Sequence, residues 1–181
     1  GRMTLGHDLG INSEIDLRVP GGDTTYQKVN MIDMTHPYYS CNLGDYQSAG
    51  AAVSGTITNA IYENGVKTMF QALSQNANYP VYIHDIDGSV RMGDAALLIE
   101  GLCGASWSAI SKDYELSSFA KTLHARDDET WLAKHSAITA VGAATDTLQS
   151  DVNAYLLSTG LTQTEIDAVK ALLIEDSTAP I

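Results

Sequence analysis

Basic residues are scarce in this sequence. Ten Lys and Arg residues stand against twenty-two Asp and Glu residues, which gives a formal net charge of −12 over 181 residues. Such a chain is repelled by the phosphate backbone of nucleic acids and by anionic lipid surfaces. We therefore expect no nucleic-acid partner and no membrane partner. Any attraction of an anionic ligand has to come from local groups, such as backbone N–H groups or a single cation.

Cysteine and long apolar runs are also scarce. The two cysteines, Cys41 and Cys103, are too few for a disulfide framework and lack the spacing of metal ligands. We expect Cys103 to be buried in an apolar stretch and Cys41 to be exposed. No apolar run is long enough to span a bilayer. With 44% hydrophobic and 18% charged residues, the composition predicts one soluble, folded domain over residues 1–181, and it does not separate a cytoplasmic from a secreted location.

The first half of the chain mixes strand and helix patterns. Residues 79–84, rich in β-branched and aromatic side chains, have the best strand pattern. Two further strands are predicted at residues 9–18 and 29–34, and the polar, Gly-containing residues 37–50 are predicted as a long loop. Apolar residues near helical spacing in residues 51–74 predict one bent helix or two.

The second half of the chain is helical by its apolar periodicity. The predicted helices cover residues 92–103, 107–119, 128–144, 147–157 and 162–174. Strands mixed with helices, followed by helices alone, indicate an α/β fold. We expect a small central, mostly parallel sheet surrounded by helices, with a helical C-terminal half.

Loop 84–91 joins the strand at residues 79–84 to the next helix. A strand, a glycine-bearing loop and a helix N-terminus form an anion site, because the first-turn N–H groups have no intrahelical acceptor and the helix dipole adds positive charge. Gly88 allows a tight backbone turn. Arg91 can hold two phosphate oxygens with its planar guanidinium. The loop is therefore predicted to bind phosphate.

Residues 79–93 resemble the catalytic loop of the cysteine-dependent protein tyrosine phosphatases, in the bacterial tyrosine/serine subgroup whose loop reads His-Cys-x-x-Gly-Lys-Asp-Arg-Thr-Gly. Other segments resemble the same subgroup in order along the chain: residues 9–11 and 14–18 resemble its "LGI…IDLR" strand, and residues 95–100, 111–116 and 155–166 resemble its later helices. The resemblance implies a tyrosine-phosphatase-like fold and a phosphorylated protein or small molecule as ligand.

The resemblance also implies roles for individual residues. It implies that the candidate catalytic residues are Asp85, at the nucleophile position, with Arg91 and Asp87. His84 would order the loop by hydrogen bonding. The phosphate group would be held by Ile86, Gly88, Ser89, Val90, Arg91 and Gly93. This chemistry implies no cofactor and no metal.

The loop departs from the family pattern in ways that affect the chemistry. Asp85 stands where the family has its nucleophilic cysteine, Ser89 and Val90 stand where the subgroup often has lysine and aspartate, and Met92 replaces the usual threonine. A family segment that precedes "LGI…IDLR" and contributes to the site is also expected to be missing. Family members attack phosphorus with a low-pKa thiolate. At ~4 Å and an effective dielectric of ~20, Asp85 and Asp87 would each oppose a phosphate charge by roughly 4 kcal/mol, so we doubt ordinary turnover.

The same residues also resemble the first motif of the haloacid-dehalogenase superfamily, Asp-x-Asp-Gly-Thr/Ser after a strand. In that interpretation Asp85 is the nucleophile, Asp87 is the acid/base, and Mg²⁺ bound by both offsets their charge. Lys112 and the pair Asp127-Asp128 would supply the later motifs. That fold needs several parallel strands after the first motif, and the helical pattern of the second half argues against it.

Three functions remain open from the sequence. The first is a phosphatase-family domain that hydrolyses phosphorylated protein or small-molecule substrates, or that only binds them because of Asp85. The second is Mg²⁺-dependent aspartyl phosphatase chemistry at Asp85 and Asp87. The third is a non-enzymatic relic that binds a partner through the tyrosine-bearing loop 37–46.

Overall fold

Three short parallel strands form the sheet. The computed structural model of the protein describes residues 4–18, 31–32, 35–43, 60–86, 88–119, 125–142 and 147–174. The strands are β1 (Ser13–Asp16), β2 (Tyr38–Ser40) and β3 (Val81–His84), in the order β2-β1-β3. Ile15 of the central strand is paired with Tyr39 on one side and Ile83 on the other. Because the strands are parallel, their carboxyl ends lie at one edge of the sheet, and β3 enters the predicted phosphate loop there.

The two faces of the sheet differ in polarity. Ile15 belongs to the hydrophobic core, and Tyr39 and Ile83 pack against that core. Since side chains alternate between faces along a strand, Glu14 and Asp16 lie on the opposite face although both are fully buried. A buried carboxylate needs hydrogen-bond donors, and both residues have them, as described below.

Six α-helices surround the sheet in the described part of the chain. They are α1 (Ala60–Leu73), α2 (Val90–Leu102), α3 (Trp107–Leu116), α4 (Glu129–Val141), α5 (Leu148–Ser158) and α6 (Gln163–Leu173). Helix α1 packs against β2 and α6, α2 packs against α3 and α5, and α4 packs against α5. The largest fully buried side chains are Trp131, Tyr155 and Phe70. Burial of side chains of this size contributes roughly 1.5–3 kcal/mol each.

The ends of the last two helices follow local sequence rules. Thr162 and Glu165 form a reciprocal capping box at the start of α6, with Glu165 N donating to Thr162 Oγ1 at 3.2 Å and Thr162 N donating to Glu165 Oε2 at 2.8 Å. Gly160, with φ 87°, follows α5 in the left-handed conformation that suits glycine. The predicted helix ranges, 147–157 and 162–174, place this end and this start within one residue of where the structure has them.

Most predicted elements are confirmed, and two are wrong where the structure describes them. Residues 38–40, predicted as part of a long loop, form β2, because Tyr38 donates its hydroxyl to Asp16 Oδ2 at 2.6 Å and Cys41 N donates to Asp16 O at 2.8 Å. Within the predicted strand 29–34, residues 31 and 32 form a bend, since their N–H groups donate to a carboxylate and not to a neighbouring strand. Residues 29–30, 33–34 and 44–50 of these two segments, and residues 51–59 of the first predicted helix, lie outside the described residues.

Neither cysteine forms a disulfide among the described residues, and the exposure predicted for Cys41 is wrong. Cys41 follows β2 and is fully buried in the core, whereas Cys103 at the end of α2 is half-buried. Among the helices that the structure describes, none combines the length and the apolar character needed to cross a membrane. The described chain after β3 contains only helices and turns, which contradicts the haloacid-dehalogenase fold because that fold needs further parallel strands.

Candidate functional site

The predicted phosphate loop lies between the carboxyl end of β3 and the first turn of α2. His84 ends β3 and Val90 begins α2. Gly88 has φ 74°, a left-handed conformation that side chains with a Cβ rarely adopt. Asp87, one of the predicted catalytic and metal-binding residues, lies outside the described residues.

The carboxylate of Asp85 receives backbone N–H groups from within the loop and from the helix. Gly88 N donates to Asp85 Oδ1 at 2.5 Å, and Met92 N donates to Asp85 Oδ2 at 3.2 Å. Ser89 holds the N-cap position, but its side chain does not cap the helix. Met92 is the third residue of α2, so its N–H is one of those that need an acceptor outside the helix. Asp85 supplies that acceptor, and its negative charge suits the helix dipole.

Arg91 and Gly93 lie in the first turns of α2. The side chain of Arg91 is buried. Gly93 allows helix α3 to approach, because a Cβ built on it would lie 3.0 Å from Cδ2 of Tyr114. Tyr114 in turn stacks on Trp131, with ring centroids 4.0 Å apart. Burial and the charges of Asp128 and Asp94 raise the pKa of Tyr114 to about 12, so its hydroxyl is protonated at neutral pH.

A buried carboxylate in the central strand holds His84. Nε2 of His84 lies 2.8 Å from Oε1 of Glu14, and Oε2 of Glu14 accepts hydrogen bonds from the N–H groups of Met31 and Ile32. The ring of His84 stacks on Tyr82, with centroids 4.9 Å apart. The first residue of loop 84–91 is therefore held on two sides.

A second buried carboxylate on the same face has different partners. Arg18 binds Asp16 with two side-chain nitrogens, at 2.9 Å from Nε to Oδ1 and 2.8 Å from Nη2 to Oδ2, and Tyr38 donates its hydroxyl. Burial raises the pKa of a carboxyl group, but the hydrogen bonds from Arg18 and Tyr38 outweigh it and lower the pKa of Asp16 to about 2. The guanidinium of Arg18 is thus engaged with Asp16.

A cavity of about 400 Å³ adjoins the loop. Asp85 and Gly88 line it from the loop, Met92 from α2, and Tyr114 and Asp113 from α3. One wall is therefore apolar and aromatic, and two acidic residues, Asp85 and Asp113, also line the cavity. The cavity can accommodate an organic group next to the loop.

The sequence matches a known protein family over most of its length. A model of the tyrosine phosphatase family matches residues 1–175. The chain belongs to the tyrosine phosphatase family. A comparison with curated proteins found no match.

In this tyrosine phosphatase family member, most of the predicted site residues lie together. The cavity is lined by His84, Asp85, Ile86, Gly88, Ser89 and Gly93. Val90 and Arg91 belong to the first turn of α2. In the dehalogenase interpretation the pair Asp127-Asp128 belongs to a later motif. In the structure Asp128 instead caps α4, because its side chain accepts a hydrogen bond from Trp131 N at 3.1 Å.

Glu14 is the functional candidate that sequence reasoning missed. It is 70 residues away from His84 along the chain, and only the pairing of β1 with β3 brings the two together. A signal was nevertheless present, because acidic residues alternate with apolar ones in Glu14–Asp16. In a strand buried on both faces, such residues must find buried partners.

Proposed function

We propose that this phosphatase-like domain binds the phosphoryl group of a phosphorylated protein or small molecule at loop 84–91 without cysteine-type hydrolysis. The observation that supports the proposal is the contact of the Asp85 carboxylate with the N–H groups of Gly88 and Met92. The loop thus directs N–H donors at an anion, and in this structure that anion is the carboxylate of Asp85. Membership of the tyrosine phosphatase family supports phosphate as the external ligand.

The same contact argues against nucleophilic attack by Asp85. Both carboxylate oxygens of Asp85 accept hydrogen bonds, and these bonds make the carboxylate less nucleophilic toward phosphorus. A thiolate at this position would be activated by the same N–H groups and would remain a strong nucleophile. In this proposal the loop binds the phosphoryl group, and residue 85 lacks the thiolate that would attack it.

Asp85 and a phosphate group compete for the loop. A phosphate oxygen at the N–H groups of Gly88 and Met92 would have to displace the carboxylate that now accepts from them. If the carboxylate stayed within ~4 Å, the repulsion at an effective dielectric of ~20 would be roughly 4 kcal/mol for each pair of unit charges. Phosphate binding to the native chain is therefore weak, and it requires the Asp85 side chain to move.

The test is hydrolysis of p-nitrophenyl phosphate by the native chain and by Asp85→Cys, each with Mg²⁺ and with EDTA. We expect no turnover by the native chain and metal-independent turnover by Asp85→Cys. Asp85→Ser is the matched control, because it has the size of cysteine without a thiolate, and it should stay inactive.

Three results would contradict the proposal. Metal-independent hydrolysis by the native chain would show that Asp85 is a competent nucleophile. Hydrolysis that needs Mg²⁺ and is abolished by EDTA would show aspartyl chemistry at Asp85 and Asp87. If Asp85→Cys neither turns over nor binds inorganic phosphate in a calorimetric titration, the loop is not a phosphate site.

A further inference from the structure

One buried carboxylate links the phosphate loop to a part of the chain far away in sequence. Glu14 is fully buried in β1, and its Oε1 lies 2.8 Å from Nε2 of His84. Its Oε2 accepts from the N–H groups of Met31 at 2.5 Å and Ile32 at 3.3 Å. A carboxylate with donors on both oxygens is held in one position, since any rotation would leave a buried charge without partners.

His84 carries this constraint to the first peptide of the loop. Its Nδ1 lies 3.4 Å from the carbonyl oxygen of Asp85, a longer and weaker contact than the one at Nε2. Each ring nitrogen therefore lies next to an oxygen atom, Nε2 next to Glu14 and Nδ1 next to the main chain of Asp85. Stacking on Tyr82 at 4.9 Å limits rotation of the ring. The ring thus holds the Asp85 carbonyl in a fixed direction.

The orientation of that carbonyl determines the orientation of the N–H group of Ile86, which is predicted to donate a hydrogen bond to phosphate. A trans peptide is planar, and its C=O and N–H groups point in opposite directions. With the carbonyl of Asp85 directed toward His84, the N–H of Ile86 points away from His84. A change at Glu14 would release the ring of His84 and, through it, the peptide that carries this N–H.

We propose that Glu14 is a positioning residue of the phosphate site, acting through His84 on the peptide between Asp85 and Ile86. The inference rests on the proposed function, because it assigns a determinant of the same anion site. Asp16 provides a matched control. It lies two residues further along the same strand, it is equally buried, and its partners are Arg18 and Tyr38 instead of the loop.

The experiment uses the thiol of Asp85→Cys as a reporter of the loop. Its pKa is obtained from the rate of alkylation by iodoacetamide as a function of pH, and the native chain gives the background from Cys41 and Cys103. The measurement is repeated with Glu14→Gln added and with Asp16→Asn added. Affinity for inorganic phosphate is measured by calorimetry on the same chains, and thermal unfolding shows that each is folded.

The two explanations for an effect of Glu14→Gln predict opposite signs. Loss of a negative charge alone would lower the thiol pKa, whereas loss of an aligned N–H donor raises it. We expect a rise of about one unit, and phosphate affinity weaker by roughly tenfold, the factor that corresponds to about one hydrogen bond. Asp16→Asn should reduce thermal stability without a comparable change in either quantity.

A second variant separates positioning through His84 from general damage to the fold. His84→Gln should raise the thiol pKa by a similar amount, and combining it with Glu14→Gln should add little, since both act on the same peptide. Additive effects, an unchanged or lowered thiol pKa, or equal changes with Asp16→Asn would overturn the inference. A raised thiol pKa in chains that bind no phosphate would support the positioning role and contradict the proposed function.

Discussion

Asp85→Ala should change the stability of the domain in opposite directions with and without phosphate. In the native chain the carboxylate accepts the N–H groups of Gly88 and Met92 and so completes the first turn of α2. Alanine removes this acceptor and also removes the charge that competes with an external anion. The substitution therefore removes the carboxylate that now accepts from the loop, and it leaves the same N–H groups open to added phosphate.

Without phosphate, Asp85→Ala should be less stable than the native chain. Loss of a helix-capping side chain typically costs about 1 kcal/mol, within a range of roughly 0.5–2 kcal/mol, and loss of favourable charge at the helix N-terminus adds about 0.3–1 kcal/mol. We expect a total of about 1–2 kcal/mol. For a domain of this size, each kcal/mol lowers Tm by roughly 2–4 °C.

With phosphate, the order should reverse. A ligand that binds only the folded state stabilises it by RT ln(1 + [L]/Kd), which is about 2.7 kcal/mol at a hundredfold excess over Kd. Asp85→Ala can gain this amount because its donors are accessible to phosphate. The native chain gains less at the same concentration, since its own carboxylate opposes the ligand.

The assay is thermal unfolding in a phosphate titration, with chloride added to keep the ionic strength constant because surface charges are screened by salt. Asp128→Ala is the control, since Asp128 also caps a helix through a backbone N–H, that of Trp131 at 3.1 Å. It should lose a similar amount of stability and show no crossing with phosphate. Equal stabilisation of the native chain and Asp85→Ala by phosphate would refute self-occupation of the loop, and an undiminished Tm of Asp85→Ala in chloride would refute the capping role.

Three further predictions concern the scaffold around the site. The pKa of Asp16 is lowered from 3.8 to about 2 in the folded state, so its contribution to stability is complete above the unfolded pKa and is lost as pH falls toward 2. Between about pH 5 and pH 2, the unfolding free energy measured in urea should fall by roughly 2 kcal/mol more for the native chain than for Asp16→Asn. Parallel pH profiles of the two chains would contradict this. Lys134→Met leaves the buried charge of Asp94 without its lysine partner and should cost about 3–5 kcal/mol in urea unfolding, with Lys134→Met/Asp94→Leu recovering much of the loss. Gly65→Ala places a Cβ against the carbonyl oxygen of Asn42 and should lower the unfolding free energy by about 1–3 kcal/mol in calorimetry. An unchanged Tm would show that the backbone there adjusts at little cost.

The parts of the fold that could be predicted are those set by short-range patterns. Strand β3 and helices α2 to α6 follow from apolar periodicity and from caps such as Thr162, which act within a few residues. Strand β2 could not be predicted in the same way. Tyr38 is extended because it pairs with β1 and donates to Asp16, and nothing in residues 37–43 alone shows that this partner exists. Strand pairing depends on register between distant segments, so local propensity underdetermines it.

The candidate site divides in the same way between local and distant determinants. The loop from Asp85 to Gly93 is contiguous, and the sequence alone indicates a strand, a turn at Gly88 and a helix N-terminus. The direction of the Asp85 side chain was not predictable, because it depends on the folded positions of the N–H groups of Gly88 and Met92. These contacts show that the carboxylate of Asp85 also acts as a helix cap.

The central strand shows why this site depends on more than its loop. Glu14 and Asp16 lie on the same face of β1 because they are two residues apart, and burial obliges both to find donors. Asp16 binds Arg18 and Tyr38 and so stabilises the sheet, whereas Glu14 binds His84 and so holds the first residue of the loop in place. Two carboxylates with the same burial and the same strand thus have separable effects. A change at Asp16 should act on stability alone, and a change at Glu14 should also act on the anion site.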